Sequence, residues 1–454
     1  MAKVRKSKAD GTSGDVPELP PGVGGDGPTT GRFIVIFKDG AVGDPAGARA
    51  VLRDVAGIGD AAVASDYEDS AVTAEDLAQT EAMYFPTLGM AVVSGDEAVQ
   101  AMAAGTADAD SPILAIEPEY TASALETSGP VALDYLRGYK AAVDHLYEQL
   151  TARGADAGIE EMPAAGFSDT AQFTWGLQAT RVNTSRYSGQ GVRVAVLDTG
   201  LDFQHPDFLG RAIVSRSFIT GQTVQDGQRH GTHCTGTACG PRQPASGVRR
   251  YGIAYGATIY IGKVLSNQGS GATAGIIAGI EWAAVNGCQV VSMSLGADID
   301  QKLQQYDVPI QRALNAGTLV IAAASNNAGR LQGNVGFVGA PANADAALAV
   351  GALDAQLRVA DFSPRSSTAT GVGGRIDIVG PGVNVFSSLP TVFGKHGFLN
   401  GTSMATPHVA GIAALWCQAT GARGAALWAR VLQSARPLAL DGRDVGAGLV
   451  QAPQ

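Results

Sequence analysis

A chain of 454 residues and 46.2 kDa, 45% hydrophobic and 16% charged, has the apolar material for a large core, which excludes disorder for most of its length. No apolar run reaches the roughly 18 residues of a membrane-spanning helix. The net charge of -10 is uneven: residues 31–170 carry 7 Lys/Arg against 24 Asp/Glu, and residues 171–454 carry 21 against 14. An acidic front part and a basic back part attract each other across an interface. The back part has no Lys/Arg-rich run and no basic patch interleaved with aromatics, so no nucleic-acid partner is expected.

Residues 1–30 are Gly/Pro-rich and read as a flexible tail. They lack the apolar core of a secretory signal. The expectation is therefore synthesis in the cytoplasm, with export by a non-classical route left open, and four reduced cysteines. From residue 31 to 120 the pattern predicts a small α+β unit of ferredoxin-like type. Its elements are strands at Arg32–Phe37, Leu88–Val93 and Pro112–Pro118, a helix over Ala46–Ile58, and a helix from Ser94 to Ala104. Residues 121–171 read as a connector carrying one amphipathic helix, Val131–Arg153. From 172 to 454 the pattern changes: the continuous apolar runs Val192–Leu197, Thr258–Val264, Gln289–Ser294 and Thr318–Ala323 alternate with helical stretches such as Ala272–Asn286. Buried strands separated by helices predict an α/β domain, a mostly parallel sheet sandwiched by helices. Functional residues then belong at the carboxyl ends of the strands.

Three short motifs carry chemistry. Asp198 ends the first apolar run in Leu-Asp-Thr-Gly. His230 opens His-Gly-Thr-His-Cys-Thr-Gly-Thr, and Ser403 lies in Asn-Gly-Thr-Ser-Met-Ala-Thr-Pro-His ahead of an apolar helix, where the helix dipole and free amides favour negative charge. Singly, a serine cap, a structural histidine and an Asp-Thr-Gly turn are commonplace. Together they supply a weak nucleophile, a base, and an anion to orient the base.

In that order and with those flanks, the sequence resembles the subtilisin-like serine proteases over residues 172–454. The order Asp, His, Ser separates it from α/β-hydrolases. The resemblance implies a serine endopeptidase with Asp198, His230 and Ser403 as its catalytic triad. Asn326 falls at the oxyanion position, with Asn327 as the other register and Ser325 replacing the family's usual glycine. Gly269, Ser270 and Gly271, with Ser294, Leu295 and Gly296, match the two edges that clamp an extended peptide, and Gly339 the floor of the primary pocket. These segments hold no acid, so a large apolar side chain is the expected occupant.

The resemblance also implies a calcium ion at Asp377, completed by backbone carbonyls near Asp345 and Ala347, and a second at Asp207. Two prolines and three arginines in residues 241–250 argue against the Asp207 cage. His233 reads as packing rather than a zinc ligand, and Cys234 as the free cysteine of a proteinase K-like subgroup. Arg32–Lys38 and Ile116–Tyr120 resemble the first and last strands of an inhibitor-type propeptide. The chain is thus expected to be a monomeric zymogen that acts on proteins or peptides, with its own front part as inhibitor. A peptide-ligating maturase and a binding-only pseudoprotease are the alternatives.

Overall fold

The computed structural model describes residues 29–94, 111–125, 166–369 and 373–454. The expected helices at 94–104 and 131–153, and the tail up to residue 28, lie outside them.

Residues 193–454 build the larger layer. Seven strands run in the order β14-β13-β12-β10-β6-β8-β7. They are β6 (Arg193–Asp198), β7 (Ile213–Ser217), β8 (Thr258–Lys263), β10 (Val290–Met293), β12 (Leu319–Ala323), β13 (Leu348–Leu353) and β14 (Ile378–Pro381), and every pairing is parallel. Most of these strands are buried on both faces, which explains their unbroken apolar runs. Helices formed by Thr273–Val285 and Thr402–Thr420 are apolar nearly all round, as fully buried helices must be.

The front unit is antiparallel. β1 (Thr29–Phe37) lies between β4 (Met90–Ser94) and β5 (Ile113–Ala124), and β3 (Ala82–Phe85) and β2 (Ala62–Val63) extend the sheet beyond β4. Helix α1 (Pro45–Ala56) closes the outer face on Leu52, Val35, Phe37 and Tyr84; its Asp44 cap and left-handed Gly57 end it at both termini. The other face, with Ile34, Ile36, Met83 and Met90, joins the core of the larger layer.

β5 runs past Pro118, the residue at which the sequence pattern ended it, and continues between two short strands of the larger layer, β9 (Ser270–Ala272) and β11 (Leu295–Gly296). Glu117 and Glu119, two residues apart, point to one side of it. Glu117 accepts the amides of Gln304 and Gln305 (2.9 Å each) at the start of the helix Gln304–Asn315. Glu119 accepts the amide of Ala274 (2.7 Å) at the start of Thr273–Val285, and pairs with Arg32. Helix N-termini leave amides without intrahelical partners, so both carboxylates sit where backbone donors and dipole favour them.

A second grip involves one turn. Glu281 accepts the amides of Thr87 and Leu88 (3.0 Å each), and burial pushes its carboxyl up to about 7. Arg312 donates to the carbonyls of Leu88 (2.6 Å), Gly89 (3.0 Å) and Phe37 (2.7 Å). Its contact with Asp39 adds little, because that carboxylate is 97% exposed. The Gly89 carbonyl also accepts the Phe37 amide (3.1 Å), so Arg312→Ala leaves the buried Leu88 and Phe37 carbonyls short of a donor and is expected to destabilise the intact chain by about 2–4 kcal/mol in urea unfolding. Arg312→Lys, with one nitrogen for three acceptors, should restore only part; wild-type stability in both variants would remove Arg312 from the contact.

Candidate active site

Asp198, His230 and Ser403 come from three elements that meet at the carboxyl edge of the parallel sheet. Asp198 is the last residue of β6. His230 is the first residue of the helix His230–Cys239, all of whose residues are buried. That burial requires small residues: a β-carbon on Gly231 would lie 2.3 Å from the Gly200 carbonyl oxygen. His230 Nδ1 sits 2.8 and 3.0 Å from the two Asp198 oxygens. Burial disfavours the imidazolium, but the Asp198 carboxylate outweighs it and holds His230 well above the usual 6.5. Nε2 is buried with no hydrogen-bond partner among the described residues.

Asp226 escaped the sequence reading. Buried beneath the His230 helix, it accepts the amides of Gln228, Arg229 and Thr232 (2.9 Å each) and the hydroxyls of Thr199 (2.9 Å) and Thr232 (2.6 Å). Thr199 in turn accepts the Gly231 amide (2.8 Å), tying the end of β6 to the start of the helix. An Asp four residues ahead of the histidine was the available signal.

Ser403 is in the first turn of Thr402–Thr420. Its Oγ donates to the Ser294 carbonyl (3.0 Å), and Ser294 Oγ donates to the Ser403 carbonyl (2.8 Å). Asn326 Oδ1 accepts from the Thr402 amide (2.9 Å) and hydroxyl (3.0 Å), which fixes the carboxamide with Nδ2 facing the cleft. Asn327 instead turns to Asp298 and Phe337.

The cleft holds the end of β5. Ser123 pairs with Ser270 on one side and Gly296 on the other; Ala122 pairs with Gly271, and Ala124 with Leu295. The Ala124 amide donates to the Gly269 carbonyl (2.8 Å), and the Leu125 amide to that of Ser294 (3.4 Å). The Leu125 carbonyl accepts from Asn326 Nδ2 (2.8 Å). Gly401, at φ +150°, leaves room for it, since a β-carbon there would come 2.7 Å from that oxygen. The Leu125 side chain enters beside Gly296, whose β-carbon would be 3.1 Å from Cδ1. Gly339 lies against the Ala297 carbonyl and Ser325 Oγ, at 2.4 and 2.6 Å from its own notional β-carbon. The six edge residues singled out in the sequence thus flank the end of β5, with Asn326 at its last carbonyl, while Gly339 lies against Ser325 and Ala297.

The neighbouring ionisable groups are neutral. Burial pushes the Cys234 thiol, 3.8 Å from His230 Nδ1, up to about 11, and holds His233 down at about 3 and His408 at about 4. His233 Nε2 lies 2.9 Å from the Val385 carbonyl, which can only accept, so Nε2 carries the proton. All four cysteines are free and buried.

The two candidate metal positions differ. Asp377 is a half-buried carboxyl, raised by desolvation to about 6, that accepts the Ala349 amide (2.9 Å) and borders a cavity of about 220 Å³ with Asn343, Asp345 and Ala347. Its carboxylate and the carbonyls of Asp345 and Ala347 are oxygen donors of the kind a hard cation takes, although Lys302 and Arg375 line the same cavity. Asp207 does not fit: Ala245 N (2.6 Å) donates to one oxygen, and Tyr251 OH (2.7 Å) and His396 Nε2 (2.9 Å) donate to the other. Against the upward push of burial, the His396 and Tyr251 bonds hold its carboxyl at about 2. The expectation of calcium at Asp207 is therefore corrected: hydrogen-bond donors occupy the oxygens a cation would need.

The family model described as the subtilase family matches residues 189–444. The chain is 39% identical over 241 residues to subtilisin NAT of Bacillus subtilis subsp. natto, covering 53% of this chain and 58% of that protein. It is 38% identical over 240 residues to subtilisin DY of Bacillus licheniformis, covering 53% and 81%. It is 37% identical over 268 residues to a cuticle-degrading protease of Metarhizium anisopliae, covering 56% and 62%. The chain thus spans between about half and four fifths of the length of these relatives. It belongs to the subtilase family. No described helix is long and apolar enough to cross a membrane.

In an NMR titration of the Ser403→Ala chain, His230 should keep its charge to a pH clearly above 6.5, because Asp198 stabilises the cation. Asp198→Asn should bring the midpoint down, as the carboxylate that outweighs burial is then gone. A midpoint unmoved by Asp198→Asn would contradict that pairing.

Proposed function

We propose that this chain is the zymogen of a serine endopeptidase that acts on proteins or peptides, with the front unit as its intramolecular inhibitor. The observation that carries the reading is the end of β5, seated between β9 and β11 with the Leu125 carbonyl on Asn326 Nδ2. A substrate strand would add to the same two edges, with the side chain before the cut in the groove that takes Leu125.

Ser403 Oγ turns from the Ser294 carbonyl toward His230 Nε2, gives it its proton and bonds to the carbonyl carbon. Negative charge forms on the carbonyl oxygen, where Asn326 Nδ2 and the Ser403 amide receive it. Asp198 orients His230 and balances its charge. The C–N bond breaks as His230 passes the proton to the leaving amine. Water, deprotonated by the same imidazole, then releases the acid and restores Ser403.

The chain's own first substrate is then the Leu125–Glu126 bond, the peptide bond whose carbonyl sits on Asn326. On incubation, the intact chain should yield a new N-terminus at Glu126, and Ser403→Ala should remain full length with no labelling by a fluorophosphonate. A first cut elsewhere would reject this register, and cutting by Ser403→Ala would reject the nucleophile. Because a base must be neutral, kcat should rise with pH through the raised His230 midpoint and then level off.

Asp377, with the carbonyls of Asp345 and Ala347, is the proposed calcium site; the ion would serve stability and take no part in the chemistry. A chelator should lower the unfolding temperature of the wild type and have little effect on Asp377→Asn. A chelator response that survives Asp377→Asn would put the ion elsewhere.

A further inference from the structure

Ser325 carries two penalties at once. It stands at φ +97°, a left-handed conformation that a residue with a β-carbon rarely adopts. Its hydroxyl is fully buried and has no hydrogen-bond partner among the described residues. Neither penalty is needed to hold Asn326, because Thr402 does that, bonding the Asn326 carboxamide and the Ser325 carbonyl (3.1 Å) rather than the Ser325 hydroxyl. The hydroxyl instead lies against Gly339, the residue that the resemblance puts at the pocket floor: Oγ is 2.6 Å from where a β-carbon on Gly339 would sit, with the Ala297 carbonyl at 2.4 Å from the same point. The Leu125 side chain lies along Gly296, with Cδ1 3.1 Å from where a β-carbon there would sit, and its methyl groups have nothing to offer a hydroxyl.

We infer that Ser325 sets the specificity of the primary pocket, by favouring a side chain about as long as leucine or slightly longer that ends in a hydrogen-bonding group, a carboxamide above all. This rests on the endopeptidase reading only in taking the pocket to be a substrate pocket. A hydroxyl left dry by an apolar occupant is penalised, whereas an amide tip both accepts from Oγ and has N–H groups to offer the Ala297 carbonyl. The serine also takes space at the floor, which works against aromatic rings.

Two experiments test this, one of them independent of catalysis. In the processed enzyme, peptides differing only in Gln, Leu, Met or Phe before the cut are compared by kcat/KM. Ser325→Ala and Ser325→Gly should each lower the Gln-to-Leu ratio about tenfold, and Ser325→Gly should raise the Phe-to-Leu ratio. A proportional fall for all four peptides would mean that Ser325 only positions Asn326, and would overturn the inference. In the full-length Ser403→Ala chain, Leu125→Gln puts the amide into the pocket directly. Hydrogen exchange of the amides at positions 124 and 125 should then be about tenfold slower with Ser325 present than with Ser325→Ala. Equal exchange in the two backgrounds would also overturn it. Loss of peptidase activity in the wild type, with the exchange difference intact, would instead count against the endopeptidase reading alone.

Discussion

One strand belongs to both halves of the molecule. β5 pairs with β1 in the front sheet, and its last residues pair with β9 and β11 at the mouth of the cleft. Because side chains alternate along a strand, fixing the register at Glu117 and Glu119 fixes it at Leu125 as well. The two carboxylates cap two different helices, so a slip of one residue would turn both away from their amides. The position of one carbonyl beside Asn326 is therefore set several residues upstream, by two helix caps.

This changes how the charge asymmetry is understood. The excess of acid in the front part and of base in the back part suggests pairing of Asp/Glu with Lys/Arg. Across the contact, the buried carboxylates mostly face backbone amides: Glu117 and Glu119 at helix starts, and Glu281 of the larger layer at the Thr87–Leu88 turn. Arg312, a buried cation at this contact, faces carbonyls. Amides and carbonyls are fixed in direction and cannot be screened away like mobile surface ions, so such contacts hold geometry. The exposed pairs, such as Arg216 with Glu68 at 4.0 Å, contribute far less.

Much of this was legible in the sequence, and the exceptions have physical causes. The four strands flanking the site were readable because parallel strands buried on both faces are continuous apolar runs. β7 was missed because Ile213-Val-Ser-Arg-Ser is an edge strand, partly exposed, whose polar residues hide the pattern. β13 was missed because close packing keeps it small: Gly351 lies against Val379 and Ser363, and alanines dilute the rest. β5 was read too short because proline is an ordinary strand stop, whereas Pro118 sits opposite Phe33 next to a register shift. Asp198, His230 and Ser403 were readable as motifs because each is locked to small neighbours at the end of an element. The Asp207 position misled because its motif matches while its surroundings do not: Tyr251 and His396 arrive from distant segments, and no local pattern announces them.

The same separation of near and far neighbours explains the electrostatics of the cleft. Cys234 and His233 share a helix with His230, and His408 shares one with Ser403. Any of them, if charged, would perturb the imidazole at close range. Burial keeps all three neutral at neutral pH, holding the thiol high and the imidazoles low. His230 is as deeply buried, and differs in having a carboxylate on its Nδ1. Burial that silences its neighbours therefore makes the Asp198 pairing stronger, since few other charges and little water compete with it. The apolar, small-residue packing of the His230 helix is in this sense part of the site's chemistry: it decides which one of several titratable groups carries the charge.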